Sequence, residues 1–315
     1  FIFLKTLSSV ENYRYDLNNN YIYIFSHFDF YNNKKKIMKI MKIVYFGNNL
    51  FSSCLKYLID EGHQMLRVYK NDSTHDSSII DRLCDKNDIP RYENKPNLSE
   101  LNQLISLGAE IFIVAEYSYL VPDTNVKYAI NIHPTLLPHG RGPTPLPYLI
   151  RSPEFSGVTI HKICEDFDSG DIILQAKMSQ YINESFTTLM IKMHLESVKL
   201  LKVFFQDIDY YYQSAYSQVD HSYWPKINGT ERILDWNSSI EFIEKQMKCF
   251  GHIGLIVKLD QELWAISHLE IIDYKHNLQP GHVAFEDDSL LAVNALDGII
   301  CIHKSSISSI SSMPI

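Results

Sequence analysis

Two short stretches hold the residue types that chemistry needs. Asn131-Ile132-His133 runs straight into Pro134-Thr135-Leu136-Leu137-Pro138-His139-Gly140-Arg141-Gly142-Pro143, and Asp166-Phe167-Asp168-Ser169-Gly170-Asp171 follows further along. The two-residue period of a strand puts Asn131 and His133 on one side, where a loop dense in Pro and Gly begins. An amide and an imidazole are thereby presented together, and the Asp168-Ser169-Gly170-Asp171 turn supplies carboxylates. No Ser or Cys occupies a nucleophile elbow, so direct transfer between two bound substrates fits better than covalent catalysis. In such a transfer His133 takes a proton from an attacking amine or stabilises the developing oxyanion. Asn131 donates an amide N–H to that oxyanion, and Asp168 holds the imidazole and raises its pKa. Taken singly, each has an ordinary structural reading: His133 as a satisfied loop histidine, Asn131 and Asp168 as turn formers.

The elements that must position these groups begin at Met41. Residues 42–46 read as a strand, Gly47-Asn48-Asn49 as a turn with an N-cap, and Phe51, Leu55, Leu58 and Ile59 recur at helical spacing. Strands are expected at 64–69, 110–115 and 129–132, and helices at 77–85 and 99–107. Residues 157–162 and 172–175 read as two more strands. This alternation predicts an α/β domain with a doubly wound parallel sheet, whose ligands sit beyond the carboxyl ends of the strands. Gly47 stands alone, without the G-x-G-x-x-G and downstream acid of a dinucleotide site, which argues against a nicotinamide enzyme.

A long amphipathic helix is expected at 185–205, a linker at 206–230 and a helix at 240–250. Short strands are expected at 255–259, 263–266, 292–294 and 299–303, with Pro280-Gly281 and Asp297-Gly298 as turns and 306–315 as a tail. Residues 1–40 start with Phe1, are rich in Tyr, Phe and Asn, and read as an extension outside the fold, with Met41 or Met38 as the natural start. They match neither a secretory signal nor a transit peptide.

The chain has 315 residues, 29 Lys+Arg and 37 Asp+Glu, with 45% hydrophobic residues, which suits a globular protein of two domains. No apolar run reaches the length of a membrane span. Cys54, Cys84, Cys164, Cys249 and Cys301 are odd in number and far apart, so neither a zinc finger nor a disulfide framework is indicated, and a reducing cytoplasm is expected. Residues 41–219 hold 16 basic and 21 acidic side chains, and residues 220–315 hold 7 and 13. Neither segment has the positive excess on which nucleic-acid affinity rests.

The order Asn131, His133, Thr135, Leu136, Leu137, Pro138, Arg141, Gly142, then Gly157, Val158, Thr159, His161, then Asp168, Gly170, Asp171, Ile172 resembles the pattern of the folate-dependent formyltransferases. The resemblance spans Met41 to about Lys304 and is nearest to the branch of the methionyl-tRNA formyltransferases and their sugar-modifying relatives. It implies a Rossmann-like doubly wound domain at 41–205 and, at 231–305, a smaller OB-like β-barrel. It implies Asn131, His133 and Asp168 as the catalytic triad and 10-formyltetrahydrofolate as formyl donor, with no metal. The pterin ring would lie on the 114–122 loop, with Glu116, Tyr117 and Leu120, under a loop bearing Glu165 and Phe167. Tyr117 and Leu120 also read as ordinary packing after a buried strand. Tyr223-Trp224-Pro225-Lys226 and Ile233-Leu234-Asp235-Trp236 resemble the family's interdomain signature, with Trp236 as a packing anchor.

The acceptor implied is a primary amine, on initiator methionyl-tRNA or on an amino-sugar nucleotide. In the tRNA enzymes a basic insertion grips the acceptor stem. Here residues 67–82 balance Arg67, Lys70 and Arg82 against Asp72, Asp76 and Asp81, and the second domain is acidic. Gly142-Pro143-Thr144-Pro145-Leu146 also departs from the Gly-Ala-Ala-Pro of the tRNA enzymes. A formyltetrahydrofolate hydrolase and a non-catalytic folate-binding module are the other readings. A metal site from His133, His139 and His161 matches no ligand spacing.

Overall fold

The computed structural model describes residues 39–72, 77–259 and 262–310. The extension expected at 1–40 therefore lies, save for Lys39 and Ile40, outside the described residues. From Lys42 strand and helix alternate: β1 (Lys42–Gly47), α1 (Ser52–Asp60), β2 (Gln64–Tyr69), α2 (Ser78–Lys86), β3 (Arg91–Tyr92), α3 (Leu98–Ser106), β4 (Ile111–Ala115) and β5 (Tyr128–His133). These five strands lie in the order β3-β2-β1-β4-β5, and every neighbouring pair is parallel. After β5 come α4 (Pro145–Arg151), β6 (Gly157–Lys162), β7 (Ile172–Lys177), α5 (Phe186–Gln206) and α6 (Ile208–Gln213).

Side-chain alternation sends each strand to two cores. Ile43, Tyr45, Ile111, Ile113, Ile130 and Ile132 pack with Leu55 and Leu58 of α1 and Leu189, Met193 and Phe204 of α5. Val44, Phe46, Phe112 and Val114 pack on the other face with Leu101 and Leu104 of α3. Burial on both faces explains why β4 reads as an unbroken apolar run. Each such side chain contributes about 1.5–3 kcal/mol when fully buried. At Gly47 a Cβ would lie 2.1 Å from the Ala115 carbonyl oxygen, so only glycine lets β1 end this close to β4.

The sheet departs from the all-parallel expectation at one edge. β6 runs antiparallel to β5, and β7 antiparallel to β6. The chain leaves β5 at His133 and re-enters beside it, pairing Thr159 with His133 and Lys162 with Ile130. A parallel return would have needed a crossover to the far end of the sheet. The loop between β6 and β7 then folds back across the sheet face, which brings Asp168 to β5.

The stretch expected to be a linker carries α6, followed by an extended segment that packs on the loops after β5 and β6. Beyond it come α7 (Ile240–Phe250), β8 (Leu255–Leu259), β9 (Glu262–Ile266), β10 (Glu270–Ile272), β11 (Val283–Glu286), β12 (Leu290–Asn294), β13 (Ile299–His303) and β14 (Ile307–Ser309). These strands form a sheet of order β10-β13-β12-β11 and another of order β14-β9-β8, with antiparallel pairs throughout. Ile243, Phe250, Leu255, Ile266, Ile300 and Ile302 fill the core between them, and Trp236 packs against it. β10, β11 and β14 escaped the sequence reading. β10 and β14 span three residues each, and every residue of β11 is exposed, so no apolar period marks them. β14 also lies within the stretch 306–315 expected to be a tail.

Candidate active site

On β5 the residues Ile130 and Ile132 face the α1/α5 core, which leaves Asn131 and His133 on the opposite side of the strand. His161 of β6 is the direct antiparallel partner of Asn131. Asp168 arrives from the β6–β7 loop, with a left-handed backbone at φ 56°. The three residues expected to act together do meet. His133 Nδ1 is 3.3 Å from Asp168 Oδ1, and Asn131 Nδ2 donates to the same oxygen at 3.1 Å. The other carboxylate oxygen, Oδ2, accepts from Gly142 N at 3.0 Å.

The surroundings of His133 define its charge. Its ring is buried, 4% exposed, and Nε2 lies 2.9 Å from the Gly140 carbonyl oxygen. Carboxylate and carbonyl are both acceptors, so each ring nitrogen is met by a group that wants a proton, and the imidazolium satisfies both. Burial by itself would push the imidazole pKa down, yet the Asp168 carboxylate and the Gly140 carbonyl hold it above its ordinary value. Burial would likewise raise Asp168, but the neighbouring His133 holds its carboxyl well below the usual range. The sequence expectation that Asp168 raises the pKa of His133 agrees in direction with this arrangement.

Asn131 is placed otherwise than expected. His161 Nδ1 faces the Lys162 carbonyl at 2.8 Å and so carries its proton there, leaving Nε2 to accept from Asn131 Nδ2 at 3.0 Å. With the second amide hydrogen on Asp168, both donors of Asn131 are engaged, and its carbonyl oxygen is the atom left to face a substrate. His161 had been read only as part of a motif and as a metal candidate. A role beside Asn131 was not visible because it depends on the antiparallel pairing of β6. His139 is turned away onto the Phe155 ring, with centroids 4.7 Å apart. Among the described residues no group of three His, Cys, Asp or Glu is arranged to hold a metal ion.

The residues expected to line a folate site lie beside this cluster. Register between β4 and β5 pairs Ala115 with Ile132, so Glu116 follows level with His133. Glu116 has φ 65° and its carboxylate accepts from Leu50 N at 2.6 Å. The Tyr117 ring is buried against Phe46 and Tyr119, and its hydroxyl donates to the Asn94 carbonyl at 3.3 Å, so its side chain packs into the fold. Leu120 is half-buried. Glu165 and Phe167 are exposed on the loop that leads into Asp168.

Residues 64–203 match the formyl transferase family. A methionyl-tRNA formyltransferase of Coprothermobacter proteolyticus is 29% identical over 264 residues, covering 79% of this chain and 87% of that protein. One from Ehrlichia canis is 28% identical over 279 residues, 82% and 90%. Among solved structures, HypX from Aquifex aeolicus in complex with tetrahydrofolic acid is similar in fold, with a TM-score of 0.59 at 18% identity, covering 84% of this chain but only 44% of that one. An N-formyltransferase from Helicobacter canadensis, in complex with folinic acid and dTDP-3-aminofucose, superposes with a TM-score of 0.56 at 20% identity, 84% and 99%. With the Asn131–His133–Asp168 cluster at the carboxyl end of β5, residues 64–203 carry a formyl transferase domain and the chain is an enzyme of that kind.

Proposed function

We propose that the enzyme moves a formyl group from 10-formyltetrahydrofolate to a primary amine by direct transfer, with Asn131, His133 and Asp168 as the catalytic residues. The observation that carries this reading is the buried His133–Asp168 pair with Asn131 hydrogen-bonded to it. The donor supplies an activated formyl carbon. The turn from Glu116 to Leu120, which starts level with His133, and the Glu165–Phe167 loop are the surfaces that would hold its ring. His133, held between two acceptors, donates a hydrogen bond toward the oxygen that becomes negative as the amine nitrogen bonds the formyl carbon; the bond from that carbon to the folate nitrogen then breaks, and the proton lost by the amine goes to that nitrogen as tetrahydrofolate leaves. Its Nε2–H is released from Gly140 for that purpose, while Asp168 keeps the ring charged. The Asn131 carbonyl oxygen accepts from the attacking amine and aims its lone pair.

For the acceptor there are two readings: charged initiator methionyl-tRNA, the substrate class in the names of the curated relatives, and an amino-sugar nucleotide. The ion pairs favour the second. Lys70 is bound by Asp81 and Glu93, Arg91 by Asp81 and Asp85, and Arg67 lies 3.8 Å from Glu100, so these three basic groups are paired from within, while Arg82 is exposed. A polyanion would have to compete with these carboxylates for three of the basic groups. The five cysteines are free thiols, which supports a cytoplasmic setting, and no helix among the described residues is long and apolar enough to cross a membrane. We also propose that residues 41–205 are the catalytic domain and that the antiparallel sheets of 231–305 belong to an OB-like domain.

The test is transfer of labelled formyl from 10-formyltetrahydrofolate to charged initiator tRNA and to a panel of amino-sugar nucleotides, with formate release measured in the absence of amine. Product on an amino-sugar nucleotide supports the second acceptor and product on tRNA alone overturns it. Formate release at the same rate with and without amine would make the enzyme a hydrolase.

A further inference from the structure

Three parts of the active site converge on the side chain of Gln218. Residues 216–224, which follow α6, run back along the loop that carries Asp168. Tyr216 and Ile172 exchange backbone hydrogen bonds at 2.8 and 3.0 Å, and Ser217 Oγ donates to Asp171 Oδ1 at 3.2 Å. Gln218 Nε2 donates to the carbonyl of Asp168 at 2.9 Å and to that of Gly170 at 2.7 Å. Its Oε1 accepts from Arg141 Nε at 2.9 Å. Further on, Arg141 N donates to the Ser222 carbonyl at 3.0 Å, Gly140 N to Ser222 Oγ at 3.0 Å, and Trp224 N to the Arg141 carbonyl at 2.7 Å. One segment thus ties the Asp168 loop to the loop of Gly140, Arg141 and Gly142.

The Asp168 loop needs such a tie. It has folded back over the sheet, so the carbonyls of Asp168 and Gly170 have no strand neighbour, and a partly buried carbonyl without a donor is costly. Asp168 itself sits at φ 56°, a conformation that a side-chain-bearing residue keeps only when its surroundings hold it there. Gly170 cannot be replaced to stiffen the turn, because a Cβ would lie 1.9 Å from the Lys162 carbonyl oxygen. Gln218 is the side chain that supplies donors to both carbonyls.

We propose that Gln218 is a positioning residue for formyl transfer: it fixes the backbone of the Asp168 loop against His133 and locks that loop to Arg141. Its effect on rate rests on the formyltransferase reading, whereas its effect on the Asp168–His133 geometry does not. The test uses Gln218→Ala and Gln218→Glu in the full chain. Glutamate is isosteric and keeps an oxygen for Arg141, but has no N–H for the two carbonyls. Four quantities are read: thermal unfolding, the kcat of transfer, its donor KM, and the His133 titration by nitrogen-detected NMR. That ring is faced by Asp168 from the β6–β7 loop, by His161 from β6 and by the Gly140 carbonyl. Expected are folded variants, kcat lower by about tenfold with donor KM within about twofold, and His133 titrating about one pH unit lower in both. Wild-type titration and kcat in both variants would overturn the proposal, as would a Gln218→Glu protein that behaves like wild type, since Arg141 would then be the only contact that matters. If the wild-type protein transfers no formyl group, the functional reading falls and the titration alone decides the role of Gln218.

Discussion

His133 Nδ1 and Asp168 Oδ1 are 3.3 Å apart with both side chains more than nine-tenths buried, so each charge depends on the other for its place in the core. Replacing one partner leaves the other buried and unpaired, which typically costs about 3–5 kcal/mol. Asp168→Asn is expected to lower the unfolding free energy by roughly 3 kcal/mol and to cut kcat by at least about a hundredfold. Urea unfolding and transfer kinetics on the same preparation check it. A variant of wild-type stability would mean that the two charges are solvated.

The same pair sets a pH window for stability. The His133 pKa is raised above its ordinary 6.5, so its stabilising contribution is complete below 6.5 and is lost as pH rises through the higher folded value. Asp168 is held well below its ordinary 3.8, so its contribution is complete above 3.8 and is lost as pH falls through the lower folded value. The pair should therefore stabilise the fold fully between about pH 4 and 6.5. Unfolding free energy measured against pH for wild type and for His133→Gln should differ most in that window, with the gap narrowing at alkaline pH. A constant gap would show that His133 does not change charge on unfolding.

Much of this arrangement was legible in order along the chain and little of it across the chain. The run 64–69 was read with the bounds of β2 because its apolar residues are flanked by Gly62 and polar turns. Asn131, His133 and Asp168 were legible because their spacing repeats a family pattern. What could not be read depends on pairing. The antiparallel insertion of β6 places His161 opposite Asn131, and that is decided by where the chain re-enters the sheet, not by any local propensity. Gln218 contacts residues 77 and 50 positions away in sequence, so neither period nor motif marks it.

His161 controls which end of the Asn131 amide faces the substrate. Its Nε2 accepts one amide hydrogen at 3.0 Å while Asp168 takes the other. His161→Leu removes that acceptor and frees the amide to rotate, which is expected to lower kcat about tenfold with little change in donor KM. His161→Gln, whose carbonyl oxygen can accept the same hydrogen, is expected to recover most of the loss. Equal losses in the two variants would assign His161 to packing alone.

Gly142 reports how tightly the segment after α6 is pressed on the catalytic loop. It has φ 128°, and a Cβ there would lie 2.0 Å from the Trp224 carbonyl oxygen, while its own N–H donates to Asp168. Alanine would strain the backbone and push Trp224 outward, from a ring stack on Tyr148 with centroids 5.2 Å apart. Gly142→Ala is thus expected to destabilise the protein by more than about 1 kcal/mol and to reduce transfer along with it, since the Asp168 hydrogen bond moves too. Gly229, where a Cβ meets nothing within 4 Å, is the control: Gly229→Ala should leave both melting temperature and rate unchanged. If the two alanine variants melt together, the segment does not press on Gly142 and the close approach of Trp224 is not what holds the loop.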